Sequence, residues 1–440
     1  MNLLEQYKNR LNISEKLYAS KHNGDKLSIS KKMAIASVLN NTSKFLKEAF
    51  DNSVGTQAAD MGLFRKFTLN ITMAALPNLI AYDLVIVQPI ASRSGFITYV
   101  KYTAGSNKGQ TKKGDLINSP FALGKVDPDY TSQRVVETID VAATSFEPAW
   151  TPVVGDKVEL RKAADSEWEE KELTEGKVAI AAGTYNAARY IYDNVIIPQN
   201  DLPIINAEVV GIPVVAKARR VAIYYSQIAA FEAKQDYGFD LGDSLARQAV
   251  GRLSYEIDTE ITDKLVETAK TLDTLVFNKA PRNGVSKAEQ YEEFAEVIGD
   301  ARAYIYAQTN RFMANYMIIG PDLVSMLPFL KGFEGSKVEE ANGPYLAGTL
   351  DGFMKVFVKP NMPKGKFLVG VNGDDMQSSA LVYAPYMAIV PTQALGYADG
   401  GISQGFSTLY ALEVLNEQLV VAGTVINDPS KQVVLTKVAD

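Results

Sequence analysis

Proton transfer near neutral pH calls for histidine, and this chain has one, His22, in the polar, turn-like segment SKHNGDK. A lone histidine there reads as a solvated surface residue. There is no cysteine, which excludes thiolate catalysis, thiolate metal ligation and disulfide closure. One histidine cannot supply a His-Glu-x-x-His metal motif, and no serine lies in a Gly-x-Ser-x-Gly elbow. The segment GSNKGQTKKGD is rich in Gly and Lys, as phosphate loops are. Its spacing fails, because Gly105 and Gly109 are separated by three residues and Gln110 stands where a lysine is needed. It reads as a hairpin tip, either merely solvated or with Lys108, Lys112 and Lys113 meeting acidic groups of a neighbouring subunit. The acidic run DSEWEEKE (165–172), with Glu175, lacks the alternating oxygen ligands and turn glycine of a calcium loop, so a solvated hairpin face is expected. Asp374 and Asp375 read as turn residues. Glu256 and Glu260 lie one helical turn apart, the spacing of an acid–base pair, but beside Asp258, Asp263 and Lys264 they read as a charged outer face. The expectation is a protein that is not an enzyme and uses no cofactor or metal.

The elements that would carry these residues come next. The chain has 440 residues, enough for two or three domains, and 47% hydrophobic content of globular type. No stretch reaches the roughly 18 uncharged apolar residues of a membrane span, and MNLLEQYKNR lacks a basic-then-apolar export signal. The net charge of −6 argues against a protein that coats nucleic acid, yet suits one that encloses it without gripping it.

Residues 3–20 and 28–50 read as helices, the second with Met33, Ile35, Ala36, Leu39, Phe45, Leu46 and Ala49 as a broken apolar stripe; together they look like a detachable arm. A short helix is expected before Pro77, and Leu84–Val87 reads as a strand buried on both faces. From Gly95 the pattern is strand-turn-strand. FITYVKY (96–102) leads to the lysine-rich tip, and strands are expected at 134–141, 157–161, 177–181 and 190–197. They suggest a β-rich insert over about 120–205, closed by a return strand at 218–226. An excursion of roughly 130 residues from a compact domain needs its own structure or a role outside its subunit. A short helix at 226–236 breaks at Tyr237–Gly238, and a long one follows from about Leu241 to Lys270. In the long helix Leu245, Leu253, Ile257, Ile261 and Leu265 recur at helical spacing, Asp240 can cap the start, and the length is on the order of 40 Å. Residues 289–310 read as a helix, 315–319 as a buried strand, Gly320–Pro321 as a helix start, and 353–360, 365–373, 380–391, 406–414 and 419–426 as strands.

Four stretches in order carry a resemblance: 61–102, containing ALPNLIAYDLVIVQP; 218–261, with the return strand, glycine break and long helix; TNRFMANYMIIGPDLVSML (309–327); and 347–390, with its Gly-x-Leu-x-Gly turn and Tyr-Ala-Pro-Tyr step. The chain resembles the major capsid proteins of T-even-type tailed phages, a family with the HK97-like fold. The resemblance implies an α+β chain with these parts: an N-terminal helical arm (1–65); a peripheral domain begun by 66–95 and continued by 226–289 with a spine helix; an extended loop (96–225) carrying the insert; an axial domain (290–400); and closing strands with a C-terminal tail (401–440). The insert departs from the family pattern.

The implied function is self-assembly into hexamers and pentamers that form an icosahedral or prolate head around double-stranded DNA. The implied place is the virion capsid, assembled in the host cytoplasm, with vertex, portal, scaffold and decoration proteins as further partners and no membrane. The family often removes an N-terminal segment after a hydrophobic-x-Glu pattern. Leu46-Lys47-Glu48 before Ala49 fits it, though a permanent arm is the first expectation. No lysine–asparagine crosslink is expected. The rival readings are a tail sheath, an encapsulating shell of the same fold, and an enzyme using Asp/Glu pairs.

Overall fold

The computed structural model describes residues 3–21, 24–51, 79–106, 111–117, 130, 135–140, 145–146, 157–161, 167, 169–171, 178–179, 187–192, 203–282, 284–336, 343–392 and 394–429. His22, Lys108, the helix expected before Pro77 and half of the acidic run at 165–172 lie outside them. The chain divides into two compact units, Met1–Ile97 with Gly211–Asp440, and Thr98–Val210.

The chain opens with helices α1 (Leu3–Gln6), α2 (Lys8–Lys21) and α3 (Ile29–Asp51), then α4 (Ala81–Leu84), β1 (Ile86–Val87) and β2 (Ser94–Ala104). The apolar run at 84–87 is therefore only half strand. Leu84 ends a helical turn, Val85 N donates to Ala81 O, and only Ile86 and Val87 pair, in parallel with Val382 and Tyr383. Leu84, Val85 and Ile86 are buried and Val87 partly so, and apolarity alone could not separate turn from strand.

Strands β3 (Val135–Asp140), β4 (Ser145–Phe146), β5 (Lys157–Arg161), β6 (Glu169–Lys171), β7 (Val178–Ala179) and β8 (Ala187–Tyr192) fall inside the expected insert. They form an antiparallel sheet in the order β3-β8-β5-β6 and a separate β4–β7 pair. Next comes β9 (Ile205–Val215), which pairs with β2 as a two-stranded ribbon. This strand is absent from the sequence reading because Gly211 and Pro213 interrupt its alternation. The glycine has a packing reason: a Cβ there would meet the Phe96 ring at 3.2 Å.

Then follow β10 (Lys217–Ser226), α5 (Gln227–Asp236), α6 (Leu241–Thr268), β11 (Lys270–Asn278), α7 (Lys287–Thr309), β12 (Tyr316–Ile319) and a 3-10 segment (Pro321–Phe329). The chain closes through β13 (Phe333–Gly335), β14 (Tyr345–Leu350), β15 (Met354–Val358), β16 (Lys366–Gly370), β17 (Leu381–Pro391), β18 (Leu395–Gly396), β19 (Gly401–Val414) and β20 (Val420–Ile426).

The first unit holds two sheets. One has the path β1-β17-β19-β10, with β18 on β19. The other is mixed, in the order β11-β20-β16-β12-β15-β14-β13, with β11–β20 and β12–β15 parallel. The fold is α+β with mixed sheets. The main core joins β12, β15 and β16 with one face of α7 (Phe294, Ile298, Ala301, Ile305) and the C-terminal half of α6.

α6 is capped by Asp240, whose Oδ1 accepts from Asp243 N at 3.1 Å, and its 28 residues span about 42 Å. Leu253, Ile257, Ile261 and Leu265 are buried as the spacing requires, whereas Leu245 is only partly buried, at the edge of a smaller cluster. Asp258 corrects the expected charged outer face. It is buried, and its Oδ1 accepts from Ile80 N at 3.0 Å, so the carboxylate satisfies a buried amide.

α3 departs further from expectation. Met33 and Phe45 of the expected stripe face solvent. Ile35, Ala36 and Leu39 of the same stripe are fully buried in the main core, joined by Val38 and by Tyr7, Leu11 and Tyr18 from α1 to α2. The N-terminal helices are built into the core.

Candidate assembly surface

A subunit that assembles carries its function on exposed apolar and charged surface. In the Thr98–Val210 unit, Val100, Ile204, Ile205 and Val209 are exposed large apolar side chains on or beside the ribbon. A two-stranded ribbon is marginal in isolation and offers two open edges. At its far end the chain folds back, with Ala104 N donating to Asp115 O and Ile117 N to Tyr102 O. Lys112 N donates to Asp115 Oδ2 at 2.8 Å, and Gly114 at φ +95° makes the turn. Tyr130 OH and Ser106 close the base of this tip around the Ile204 backbone. Lys112 and Lys113 are exposed beside this turn.

The other unit has its own exposed apolar corner. Ile228 (71%), Phe231 (68%) and Tyr237 (78%) project from α5 and the turn after it, with Phe239 beside Tyr237 at a centroid distance of 6.3 Å. Only Ala233 of α5 is buried, and the start of the helix is fixed by hydrogen bonds: Ser226 Oγ accepts from Ala229 N, and Gln227 N donates to Gly400 O. That bond brings the β18 turn alongside, where Leu395 and Tyr397 are also exposed and Tyr397 lies 6.3 Å from Tyr224. Exposed acids rim the corner: Glu232, Asp236, Asp240 and Asp243. Asp399 accepts from Gly401 N and Tyr224 OH, and these bonds hold its carboxyl below the usual carboxylate range. Contiguous exposed apolar patches of this kind mark interaction surfaces.

Glu256 and Glu260 share one arginine. Arg219 on β10 reaches both, with Nη1 at 3.2 Å from Glu256 and Nη2 bonded to Glu260, while Tyr410 on β19 also bonds Glu260. Arg252 joins at 2.9 Å from Glu256. Through Arg219 the two carboxylates tie α6 to the sheet. Among the described residues no cluster of His, Asp or Glu has metal-site geometry.

A model of the family "Major capsid protein Gp23" matches residues 61–438. The chain belongs to this family. The major capsid protein of Enterobacteria phage T4 is 21% identical over 403 residues, spanning 81% of this chain and 74% of that protein. The major capsid protein of Vibrio phage KVP40 is 22% identical over 393 residues, spanning 79% and 75%. A solved structure from Mycobacterium phage Bobi overlaps at TM-score 0.34 and 14% identity, covering 66% of this chain and 87% of that one.

The family match begins beyond the N-terminal helices. Leu46 is buried with Met387 and Val390, and Glu48 and Ala49 occupy the last turn of α3. Before that turn, Asn41 Nδ2 donates to Ile90 O at 2.9 Å and Tyr386 O at 3.2 Å, where β17 slips register against β19. Sequence reasoning missed a second polar feature. A recess of about 290 Å³ is lined by Tyr18, Asp25, Lys31, Lys355 and Asp374, among others. Beside it Asp83, with its side chain 2% exposed, accepts from Tyr18 OH at 2.6 Å and Lys355 Nζ at 3.0 Å, and Lys31 Nζ stands 3.9 Å away. Burial pushes the Lys31 ammonium below its ordinary pKa, and burial with Asp83 alongside pushes the Tyr18 phenol far up. No local motif marks this cluster, because its members are separated by up to 337 positions.

Proposed function

We propose that this chain forms the wall of a tailed-phage head, its copies associating into hexamers and pentamers around double-stranded DNA. The observation that carries the reading is the family match over 61–438, which spans both compact units. In this reading α6 is the spine, and the 96–225 segment is the extended loop, enlarged by the β3–β8 strands. Residues 66–95, 226–289 and 401–440 make the peripheral domain, and 290–400 the axial domain.

The ribbon lies over a neighbouring copy, which covers its exposed valines and isoleucines. Lys108, Lys112 and Lys113 meet acidic groups of that neighbour. Weak contacts suffice, since each subunit is held by many at once. The net charge of −6 suits a wall that encloses DNA without sequence-specific binding. Further partners are vertex, portal, scaffold and decoration proteins, and assembly takes place in the host cytoplasm. The arm of residues 1–65 stays attached, so that a mature particle whose first residue is Ala49 would instead show cleavage after Glu48.

Electron microscopy of the purified protein tests the assembly. Closed spherical or angular shells are expected. Helical tubes would point to a sheath, and a protein that stays monomeric at high concentration would sink the proposal.

A further inference from the structure

The N-terminal helices engage the body in two ways that together resemble a bound ligand more than a tail. The first is apolar. Ile35, Val38 and Leu39 of α3 and Tyr18 of α2 are buried in the same core as β12, β15 and β16, and Leu46 is buried against β17. The second is polar and specific. Asn41 satisfies two body carbonyls at the irregular stretch of β17, Tyr18 donates to Asp83, Lys31 stands by the same carboxylate, and Ser28 Oγ donates to Asp374 Oδ1 at 3.0 Å. Lys355 ties the seam from the body side, at 3.4 Å from Asp25.

All of these contacts come from residues before Glu48. None depends on the peptide bond that would join Glu48 to Ala49. That bond lies in the last turn of α3, where helices fray and proteases gain access.

We infer that the body carries a binding groove for residues 3–48, so that a cut after Glu48 yields a nicked two-chain subunit and not a subunit without its arm. Release then requires loosening of the polar seam around Asp83 and Asn41, in addition to the cut. Two of the three seam partners of Asp83 named here belong to the arm. Departure of the arm would strip Tyr18 and Lys31 from a carboxylate that the fold has taken out of water, and would leave the Ile90 and Tyr386 carbonyls without the Asn41 amide. These losses oppose release even when the backbone is severed. The inference concerns any cut near the end of α3, whether or not a protease acts there in the phage.

The test uses the full chain with a recognition sequence for a specific protease inserted after Asp51. The purified protein is cut, passed through gel filtration under native conditions and read on a denaturing gel. The N-terminal fragment is expected to co-elute with the remainder. Elution of the wild-type fragment on its own would overturn the inference. In a Tyr18→Phe/Asn41→Ala variant the cut fragment is expected to dissociate at least about tenfold more readily. Retention equal to wild type would sink the role given to the polar seam. Hydrogen exchange on the uncut protein supplies a readout that no substitution can spoil. Amides of residues 35–46 are expected to exchange as slowly as those of β17, and exchange at the rate of an unfolded segment would overturn the proposal.

Discussion

Asp83 holds two lysines and a tyrosine around a single buried carboxylate, so it is the residue where one change should cost most. Replacement by alanine leaves Lys31 and Lys355 facing each other without the charge between them. Breaking a buried pair from one side costs about 3 kcal/mol or more, because the remaining charge stays desolvated. An Asp83→Ala variant is therefore expected to lower the urea midpoint substantially, whereas Lys31→Met, which removes the like-charge neighbour of Lys355, should cost less. Equal stability of wild type and Asp83→Ala would show that the cluster is solvated in solution. The Arg219 clamp is different in kind. Its groups are about a third exposed and shared between two glutamates, so solvent screens each pair and the network orients α6 more than it stabilises the fold.

The helix α7 shows how an element is started by local chemistry. Ser286 Oγ accepts from Glu289 N at 3.2 Å, and Glu289 Oε2 accepts from Ser286 N at 3.0 Å, a reciprocal capping box. The bond from the Ser286 amide holds the Glu289 carboxyl below its ordinary value. A depressed folded-state pKa contributes stability that is present above the unfolded value, near 4.3, and is lost as the pH falls through the folded one. A Glu289→Gln variant should therefore melt below wild type at about pH 7, and the two should converge toward about pH 3. A gap that persists unchanged at acid pH would show that the carboxylate charge has no part in the cap.

For the whole molecule the prediction concerns association. Ile228 and Phe231 are exposed on a helix that buries only one alanine, so aspartate at both positions should leave the fold and its melting temperature intact. If this corner is covered by a neighbour in the shell, the same double variant should remain small in light scattering under conditions where wild type assembles. Normal shells from the variant would remove the corner from the assembly surface.

The sequence alone determined a good deal: the long amphipathic α6, the buried β12 and the strand–tip–strand excursion. These follow from periodicity, turn chemistry and residue types, which act over a few positions along the chain. It could not distinguish a pendant arm from a built-in one, since the stripe of α3 is apolar in either case. It could not place Asp258 inside either, because a carboxylate is buried only when a distant amide, here that of Ile80, comes to meet it. β9 escaped because Gly211 and Pro213 break its alternation, and the start of β1 because its pairing partner, Val382, lies across the fold. Tertiary structure decided which apolar and charged groups meet, because those meetings join residues whose separation in sequence carries no local signal.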